Sequence, residues 1–416
     1  MSTPRFAGAW AAFVALMLLA PLVFGGGAGV TVLSQMGSAI VFCLAYNMLL
    51  GQGGMLSFGH AVYYGLGCFA AMHAMKMAMR GAIWLPLPLL PLAGAAAGAL
   101  AGIVFGFLAT RRTGTGFAMI TFGIGELVFI ATGVMPGFFG GETGLSGTRT
   151  YGKGAWSINF GPAISVYYLI AAWVLICTAA MYWYTRTPLG RLVNAVRDNA
   201  ERVAFIGYDA TRVRYTTMIF SGLFSGVAGA LAAINFESAT VESLGSAQSG
   251  MVLLFTFIGG AGVFWGPILG AVLGTLMTVM VSTVTKAWPM YLGLFFVLVV
   301  RFAPGGLAGL ITSGWRHARD PSWRGQWPWL LPAVAAGGLA VAACIALIEM
   351  TYRRTLDAQA GAVLNLFGLP LDTTSPLHWL LALALTIAGG WAARAAALRL
   401  MSTQPGSLPT PQGSQA

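Results

Sequence analysis

Residues 47–67 read NMLLGQGGMLSFGHAVYYGLG, an apolar stretch that glycine interrupts six times. Glycine adopts backbone turns that other residues resist, so Gly51, Gly53, Gly54 and Gly59 predict a break in a long apolar helix. A broken helix presents unpaired N–H groups, which can face a polar solute across a cavity. Close packing of neighbouring helices against the same glycines is the alternative interpretation, and it stays open here.

The whole 416-residue chain shares this apolar character, because 57% of its residues are hydrophobic and only 8% are charged. Soluble domains carry about 25% charged residues. Such a chain cannot cover a water-facing surface, so lipid must be its solvent. Its long continuous apolar runs favour helices over a barrel, whose strands alternate with period two.

Apolar runs of about 20 residues predict an all-α, polytopic transmembrane helical bundle of about ten core spans with discontinuous glycine-rich helices. The runs lie near residues 7–24, 31–50, 54–79, 86–109, 115–134, 163–184, 215–235, 247–262, 265–285 and 289–301. Residues 1–312 are therefore predicted to form the transmembrane domain. A polar cytoplasmic linker over 313–327, a C-terminal extension with two possible spans over 328–400 and a disordered tail over 401–416 are predicted to follow.

The distribution of arginine and lysine predicts the orientation of the chain. The first run, Phe6–Phe24, follows Arg5 and ends in glycines as a cleavable signal peptide would, but we expect this helix to be retained as the first span. With a cytoplasmic N-terminus, most of the 22 basic residues fall on the cytoplasmic side, as the positive-inside rule requires. Arg353 and Arg354 fit this topology least well. The sequence thus predicts a multi-pass protein of a bacterial inner membrane.

Several functions are excluded by the charged and metal-ligating residues. The net charge of +11 reflects arginines in short loops rather than nucleic-acid binding. The four cysteines and four histidines are scattered, so no metal site, cofactor or disulfide framework is predicted. Residues 147–154, GTRTYGKG, nearly fit a P-loop but end in glycine where Ser or Thr must bind Mg²⁺. We therefore expect neither ATP binding nor catalysis by this chain.

An amphipathic helix is predicted in a charged loop over residues 185–214, which the topology places in the cytoplasm. Pro188 suits its start and Gly207 its end. One face carries charged residues that include Arg197 and Glu201. The apolar face carries Leu189, Leu192, Val193, Val196, Ala200, Val203 and Ala204. Such a helix can dock in a groove of a partner or lie on lipid, and the residues alone leave these two interpretations even.

Two polar residues within apolar runs are candidates for a translocation pathway. His60 is the single polar ring in the glycine-rich stretch, and a packing role is the more frequent outcome for such a residue. Glu126 is the one carboxylate centred in an apolar run, where ionisable groups tend to face a cavity or a partner. Contact with a solute's ammonium group, gating and a structural role remain open for it. The complete set of pathway candidates is Gly53, Gly54, Ser57, Gly59, His60 and Glu126.

Five segments resemble, in the same order, the signatures of LivM-type permeases, the branched-chain amino-acid branch of the ATP-binding-cassette importers. They are Asn47–Gly67, quoted above, Gly114–Val128 (GTGFAMITFGIGELV), Thr187–Tyr215 (TPLGRLVNAVRDNAERVAFIGYDATRVRY), Gly259–Gly270 (GGAGVFWGPILG) and Arg301–Leu310 (RFAPGGLAGL). One glycine motif alone would be weak, but five in register cover residues 30–312. The chain departs from the family after Leu310, where such permeases usually finish.

The resemblance implies that the chain forms half of a translocation pathway together with a second, LivH-like permease subunit. Two cytoplasmic ATP-binding subunits would drive it, and a periplasmic solute-binding protein would deliver the substrate. The helix Leu189–Gly207 would be the coupling helix seated in the ATPase, and the mechanism would be alternating access. Branched-chain amino acids are the implied substrates, while relatives also move urea, amides and other small acids. An ion-gradient-driven secondary transporter is the alternative, but it needs intramembrane charges and only Glu126 qualifies.

Overall fold

The computed structural model describes residues 3–150, 160–303, 305–317, 327–355, 363–366 and 369–402. The predicted tail over 401–416 lies outside these residues except for its first two positions. Most of the predicted linker over 313–327 lies outside them as well, and so do the last four residues of the P-loop-like segment.

The N-terminal half of the chain is a series of helices. They are α1 (Thr3–Val23), α2 (Gly27–Asn47), α3 (Ala61–Met79), α4 (Leu90–Ala109), α5 (Thr115–Val134), α6 (Pro136–Phe139), α7 (Ala163–Arg186), α8 (Pro188–Asp198) and α9 (Ala200–Phe205). A π-helical turn, Met48–Gln52, continues α2. Short 3-10 turns occupy Leu87–Leu89 and Gly141–Thr143.

Helices also dominate the second half. They are α10 (Ala210–Phe236), α11 (Ser246–Gly259), α12 (Gly266–Leu276), α13 (Ser282–Val284), α14 (Trp288–Phe302), α15 (Gly306–His317), α16 (Trp327–Thr355) and α17 (Pro376–Ser402). A 3-10 turn, Val241–Leu244, precedes α11, and a second π-helical turn, Met277–Val281, follows α12. Strands β1 (Leu145–Ser146) and β2 (Ser238–Ala239) pair antiparallel, as do β3 (Val363–Leu366) and β4 (Leu369–Asp372).

The chain divides into two compact units. The first comprises residues 1–284 and 291–310, and the second comprises 285–290 and 311–416. Within the second unit α16 packs along α17. A Cβ added to Gly389 would lie 3.0 Å from the Ala336 carbonyl oxygen, so glycine brings these two helices close together.

Six helical stretches of the described residues are long and apolar enough to cross a membrane. They are Gly27–Gln52, Leu87–Ala109, Thr115–Val134, Ala163–Arg186, Ala210–Phe236 and Ala335–Thr355, and a bent pair, Trp288–Phe302 with Gly306–Thr312, would make a seventh. This composition confirms the predicted all-α polytopic bundle. Two of the ten predicted core runs contain shorter helices instead. The run 247–262 becomes the 14-residue helix α11, which ends before Gly260 with φ +107°, and the run 265–285 changes from α12 to a π-helical turn at Met277.

Glycine permits the closest helix contacts of the first unit, between α3, α4 and α10. A Cβ on Gly226 of α10 would collide with the carbonyl oxygen of Gly94 in α4. A Cβ on Gly67 of α3 would collide with the carbonyl oxygen of Gly226. Gly98 and Gly222 meet in the same way one turn further along. Because lipid supplies no hydrophobic force between helices, this close van der Waals packing holds them together.

The glycine-rich stretch of residues 47–67 contains the predicted helix break. After the π-helical turn the chain has little regular structure until α3 begins. Gly54 has φ +64°, a left-handed conformation that favours glycine. Gly59 lies so close to α5 that a Cβ would collide with the Thr121 carbonyl oxygen. The predicted run 54–79 is therefore helical only in α3, and its first part is an irregular segment that depends on glycine.

We expect Gly226→Ala to lower the melting temperature by a few degrees, because the added methyl overpacks the contact between α4 and α10. Gly133→Ala in α5 is the matched control. No described residue lies within 4 Å of a Cβ at Gly133, so the higher helix propensity of alanine should leave stability equal or raised. Thermal unfolding of both variants in detergent measures the difference, and equal effects would contradict the proposed packing role.

Candidate functional site

The amphipathic segment predicted between Pro188 and Gly207 is two short helices rather than one. Asn199 is extended, with φ −159°, and separates α8 from α9. Its side-chain oxygen accepts a hydrogen bond from the Arg202 backbone N–H at 3.0 Å, which caps α9. The Thr187 hydroxyl caps α8 in the same way through the Gly190 N–H. The predicted single helix is wrong in this respect, because asparagine at a cap competes with helix continuation.

The apolar face of α8 and α9 packs against the chain itself. Val193, Val196 and Val203 are each no more than 3% exposed, and α8 contacts α7, α10 and the π-helical turn. Leu189, Leu192 and Ala200, which were predicted to share this face, are half-buried. The prediction that the valines form a docking face is therefore wrong: these side chains contact the subunit's own interior.

The exposed side of this segment lies at the end of α9 and in the turn before α10. Phe205 is 89% exposed, Ile206 66% and Tyr208 51%, and Glu201 and Arg202 are exposed beside them. We call Phe205, Ile206 and Tyr208 the exposed apolar turn. Gly207 lies inside it with φ +88°, which ends the helix as predicted. The sequence analysis did not identify these residues. Three large apolar residues beside the glycine that ends a helix could have indicated an exposed docking surface.

Arg197 connects this segment to the glycine-rich break. Its guanidinium Nη1 donates a hydrogen bond to the Gly51 carbonyl oxygen at 2.6 Å, at the end of the π-helical turn. A Cβ on Gly54 would lie 2.8 Å from the Arg197 Cγ, so the arginine stem lies directly over that glycine. Asp198 accepts from the same guanidinium at 2.9–3.0 Å. The predicted coupling residue thus contacts two residues of the stretch predicted to be functional.

Single side chains hold the irregular segment between the π-helical turn and α3. The Tyr46 hydroxyl donates to the Ser57 carbonyl oxygen at 2.9 Å. The Phe58 N–H donates to the Thr121 hydroxyl at 3.3 Å, and the Ala61 N–H donates to the Ser249 hydroxyl at 2.9 Å. These bonds to α2, α5 and α11 replace the helical bonds that the break removes, as backbone at membrane depth requires.

His60 is a completely buried residue in the helix core. Its Nε2 lies 2.9 Å from the Ser225 hydroxyl and 3.2 Å from the Ser221 hydroxyl, both in α10. Its ring stacks on Phe42 at 5.9 Å between centroids and meets Tyr46 edge-on. The neighbouring Ser57 is also completely buried. This environment favours the packing interpretation of His60 over direct contact with a solute.

Glu126 lies half-buried on the outer side of α5 and has no hydrogen bond or ion pair with a described residue. Its neighbours on the same helix face are exposed: Leu127 and Ile130 are each 65% exposed, and no described residue lies within 4 Å of the Cβ position of Gly123. A carboxylate is costly against lipid, so this side of α5 suits a water-filled cavity or a protein partner.

The loops at the other end of α10 are held by a charge contact. Glu237, with φ +53°, accepts a hydrogen bond from the Arg149 N–H at 2.8 Å and forms an ion pair with its guanidinium at 3.8 Å. This pair lies next to the β1–β2 pairing, since Glu237 directly precedes β2. Glu242 is exposed, whereas Glu237 is already engaged within the chain.

Comparison with known proteins agrees with this architecture. The family model described as "Branched-chain amino acid transport system / permease component" matches residues 29–304. The high-affinity branched-chain amino acid transport system permease protein LivM of Salmonella typhimurium is 28% identical over 289 residues, which is 64% of this chain and 67% of the relative. LivM of Escherichia coli K12 gives the same values.

A more distant relative is the fructose import permease protein FrcC of Rhizobium meliloti, 26% identical over 206 residues, 45% of this chain and 54% of the relative. No solved structure gives a significant match. The matched family region contains the glycine-rich break, α8, α9 and α5, the elements described above. Because the family model covers more than half of the sequence, the chain belongs to the family of permease components of branched-chain amino acid transport systems.

Proposed function

We propose that this chain is one of two permease subunits of an ATP-driven importer in a bacterial inner membrane, with its N-terminus in the cytoplasm. A LivH-like permease subunit is its partner in the membrane. Two cytoplasmic ATP-binding subunits power the transport, and a periplasmic binding protein delivers the solute. The observation that best supports the proposal is the contact of Arg197 with Gly51, which joins α8 to a break in the membrane bundle.

In this proposal the ATPase docks on the exposed apolar turn. Phe205, Ile206 and Tyr208 project from the segment, with Glu201 and Arg202 beside them. Aromatic anchors with a polar rim are typical of the residues that carry binding energy. The buried valines of α8 and α9 support this surface from below. They make the segment move as one body with α7 and α10.

The movement of the docked segment reaches the membrane through Arg197. A guanidinium is a planar, fixed fork of donors, so a shift of α8 changes the position of the Gly51 carbonyl that it holds. The glycines of the break can follow such a shift because their backbone has the widest conformational freedom. The irregular segment then changes its contacts with α5 and α11. Alternating access would follow if these helices line the pathway.

The pathway lies, in our proposal, against the outer side of α5, where the second permease subunit completes it. Glu126 is the acidic group of this surface, and a solute's ammonium group is a suitable partner for it. In the single chain this side of α5 is exposed. We therefore propose that it forms one half of the pathway and that the second permease subunit covers it. His60 and Ser57 do not reach this surface, because both are completely buried, and His60 holds the break against α10 through Ser221 and Ser225.

The substrate that we propose is a branched-chain amino acid or a related small polar solute. Two relatives are named for branched-chain amino acids and one for fructose, so small polar solutes are common to them. The test is leucine uptake into liposomes that contain this chain, its permease partner, the ATPase subunits and the binding protein. ATP-dependent uptake supports the proposal. Uptake by the lone chain under an ion gradient would instead favour a secondary transporter.

Replacing Phe205, Ile206 and Tyr208 together with serine should weaken ATPase association at least about tenfold while the chain still inserts normally. Trp84→Ser is the matched control, since Trp84 is 77% exposed outside the segment. Co-purification in detergent measures association. Val193→Asp should instead lower the amount of folded protein in the membrane, because it buries a charge. A triple variant that retains the ATPase normally would contradict the docking surface.

Arg197→Ala should lower solute transported per ATP hydrolysed several-fold, because it removes the bond to the Gly51 carbonyl while the exposed apolar turn remains. Arg197→Lys should restore part of the coupling, since lysine keeps a charge and one donor. Arg191→Ala, exposed on the same helix, is the control. Simultaneous measurement of uptake and phosphate release separates coupling from assembly. Unchanged coupling in Arg197→Ala would overturn the proposed transmission.

Glu126→Gln should lower leucine uptake several-fold with normal assembly, because the neutral amide cannot pair with an ammonium group. Glu242→Gln, an exposed residue in a loop, is the control. Uptake in reconstituted liposomes and subunit content by gel filtration are the two measurements. If uptake by Glu126→Gln equals that of the unaltered complex, Glu126 has only a structural role.

A further inference from the structure

A cavity lies inside the first unit, between α2, α11 and the segment formed by α12 and the second π-helical turn. Its volume is 190 Å³, enough for about six water molecules at their liquid volume. The residues that line it are Gln35, Ser38, Ala39, Phe42, Cys43, Tyr64, Phe236, Gln248, Met251, Val252, Phe255, Thr275 and Thr278. It is separate from the outer side of α5, and of its lining residues only Phe42 takes part in the site described above, through its stacking on His60.

The spacing of the lining residues shows how the helices face the cavity. Those of α2 and those of α11 each follow the i, i+3, i+4, i+7 pattern of a single helix face. Gln35 and Gln248 line the same cavity, and eight residues further along, the Thr256 hydroxyl lies 3.5 Å from the Cys43 carbonyl oxygen. The two helices therefore run parallel, with their glutamines at one end.

This register gives the cavity a polar end and an apolar end. Gln35, Ser38 and Gln248 come first along their helices. Phe42 and Phe255 come about two turns later and form the opposite end. The Phe255 ring lies over Gly274 of α12 so closely that a Cβ there would meet it, which fixes the aromatic wall.

The cavity offers hydrogen-bonding groups that no described residue pairs with. The Gln35 and Gln248 carboxamides and the Thr275 hydroxyl have no hydrogen-bond partner among the described residues. The Thr278 hydroxyl, in the π-helical turn, donates to the Thr275 carbonyl oxygen at 3.0 Å and keeps its acceptor capacity. Unpaired amides inside a membrane bundle are costly, so these groups suit a bound polar molecule. π-Helical turns are also frequent at functional sites.

We infer that this cavity is a binding site, within one subunit, for an amino acid of zero net charge with an apolar side chain. Among the described residues no charged side chain lines it, so a cationic or anionic solute would be buried without a counter-charge. The carboxamides supply both donors and acceptors for a carboxylate and an ammonium group. Phe42, Met251 and Phe255 receive the apolar side chain. The inference rests on the proposed transport function and names a second place where the solute is held.

The first measurement is direct binding of radiolabelled L-leucine to the full-length chain with its permease and ATPase partners in lipid nanodiscs, without binding protein. We expect saturable binding of leucine and at least tenfold weaker binding of L-lysine and L-glutamate. Gln35→Leu, which keeps a similar volume, should weaken leucine binding at least tenfold. Equal binding of the three amino acids would overturn the inference.

Thr278→Val is a second variant, because valine is close in shape to threonine. It keeps the inference testable if Gln35→Leu fails to fold. It should also weaken binding, while Thr283→Val, exposed outside the cavity with its hydroxyl on the Met280 carbonyl, should not. ATP-driven uptake with the binding protein present is measured in parallel. The inference is overturned if ATP-driven leucine uptake is normal but the complex binds no leucine directly. It is also overturned if uptake is normal and Thr278→Val binds leucine as well as the unaltered complex. In both cases the proposed function still holds. An unaltered complex with no ATP-driven uptake would refute the proposed function itself.

Discussion

Backbone-to-backbone contact between α3, α4 and α10 is the interaction on which the first unit depends. In lipid, helices associate through close packing rather than through release of water, and only glycine lets two backbones approach so closely. Gly226 takes part in the contacts of α10 with both α3 and α4. Because α10 is fixed in this way, its Ser221 and Ser225 hydroxyls can hold His60 and, with it, the irregular segment.

The same freedom of glycine has a second consequence at the helix break. Between the π-helical turn and α3 the backbone loses its own helical bonds and takes partners from α2, α5 and α11 instead. A segment held by single side chains can exchange partners at lower cost than a continuous helix. Arg197 attaches α8 to this part of the bundle through its hydrogen bond to the Gly51 carbonyl oxygen.

Hydrophobic pattern predicted the helices of this chain well and the orientation of their faces less well. The amphipathic segment after Pro188 is present, yet its valines are buried against the subunit's own helices. An apolar stripe on a helix indicates that this face is buried. It does not indicate whether the same subunit or a partner buries it. The exposed apolar turn at Phe205 lies beyond the stripe, so periodicity did not reveal it. For His60, the packing role could be judged only once its two serine partners were known.

By itself the sequence determined that the chain is a helical membrane protein, where most helices begin and end, and to which family it is similar, because these depend on composition and local periodicity. The tertiary structure decided which glycines meet, that Arg197 contacts Gly51, and that Gln35 and Gln248 face one cavity. Those contacts join residues far apart in the chain. Their energy depends on shape and on buried polar groups in three dimensions, which no local pattern encodes.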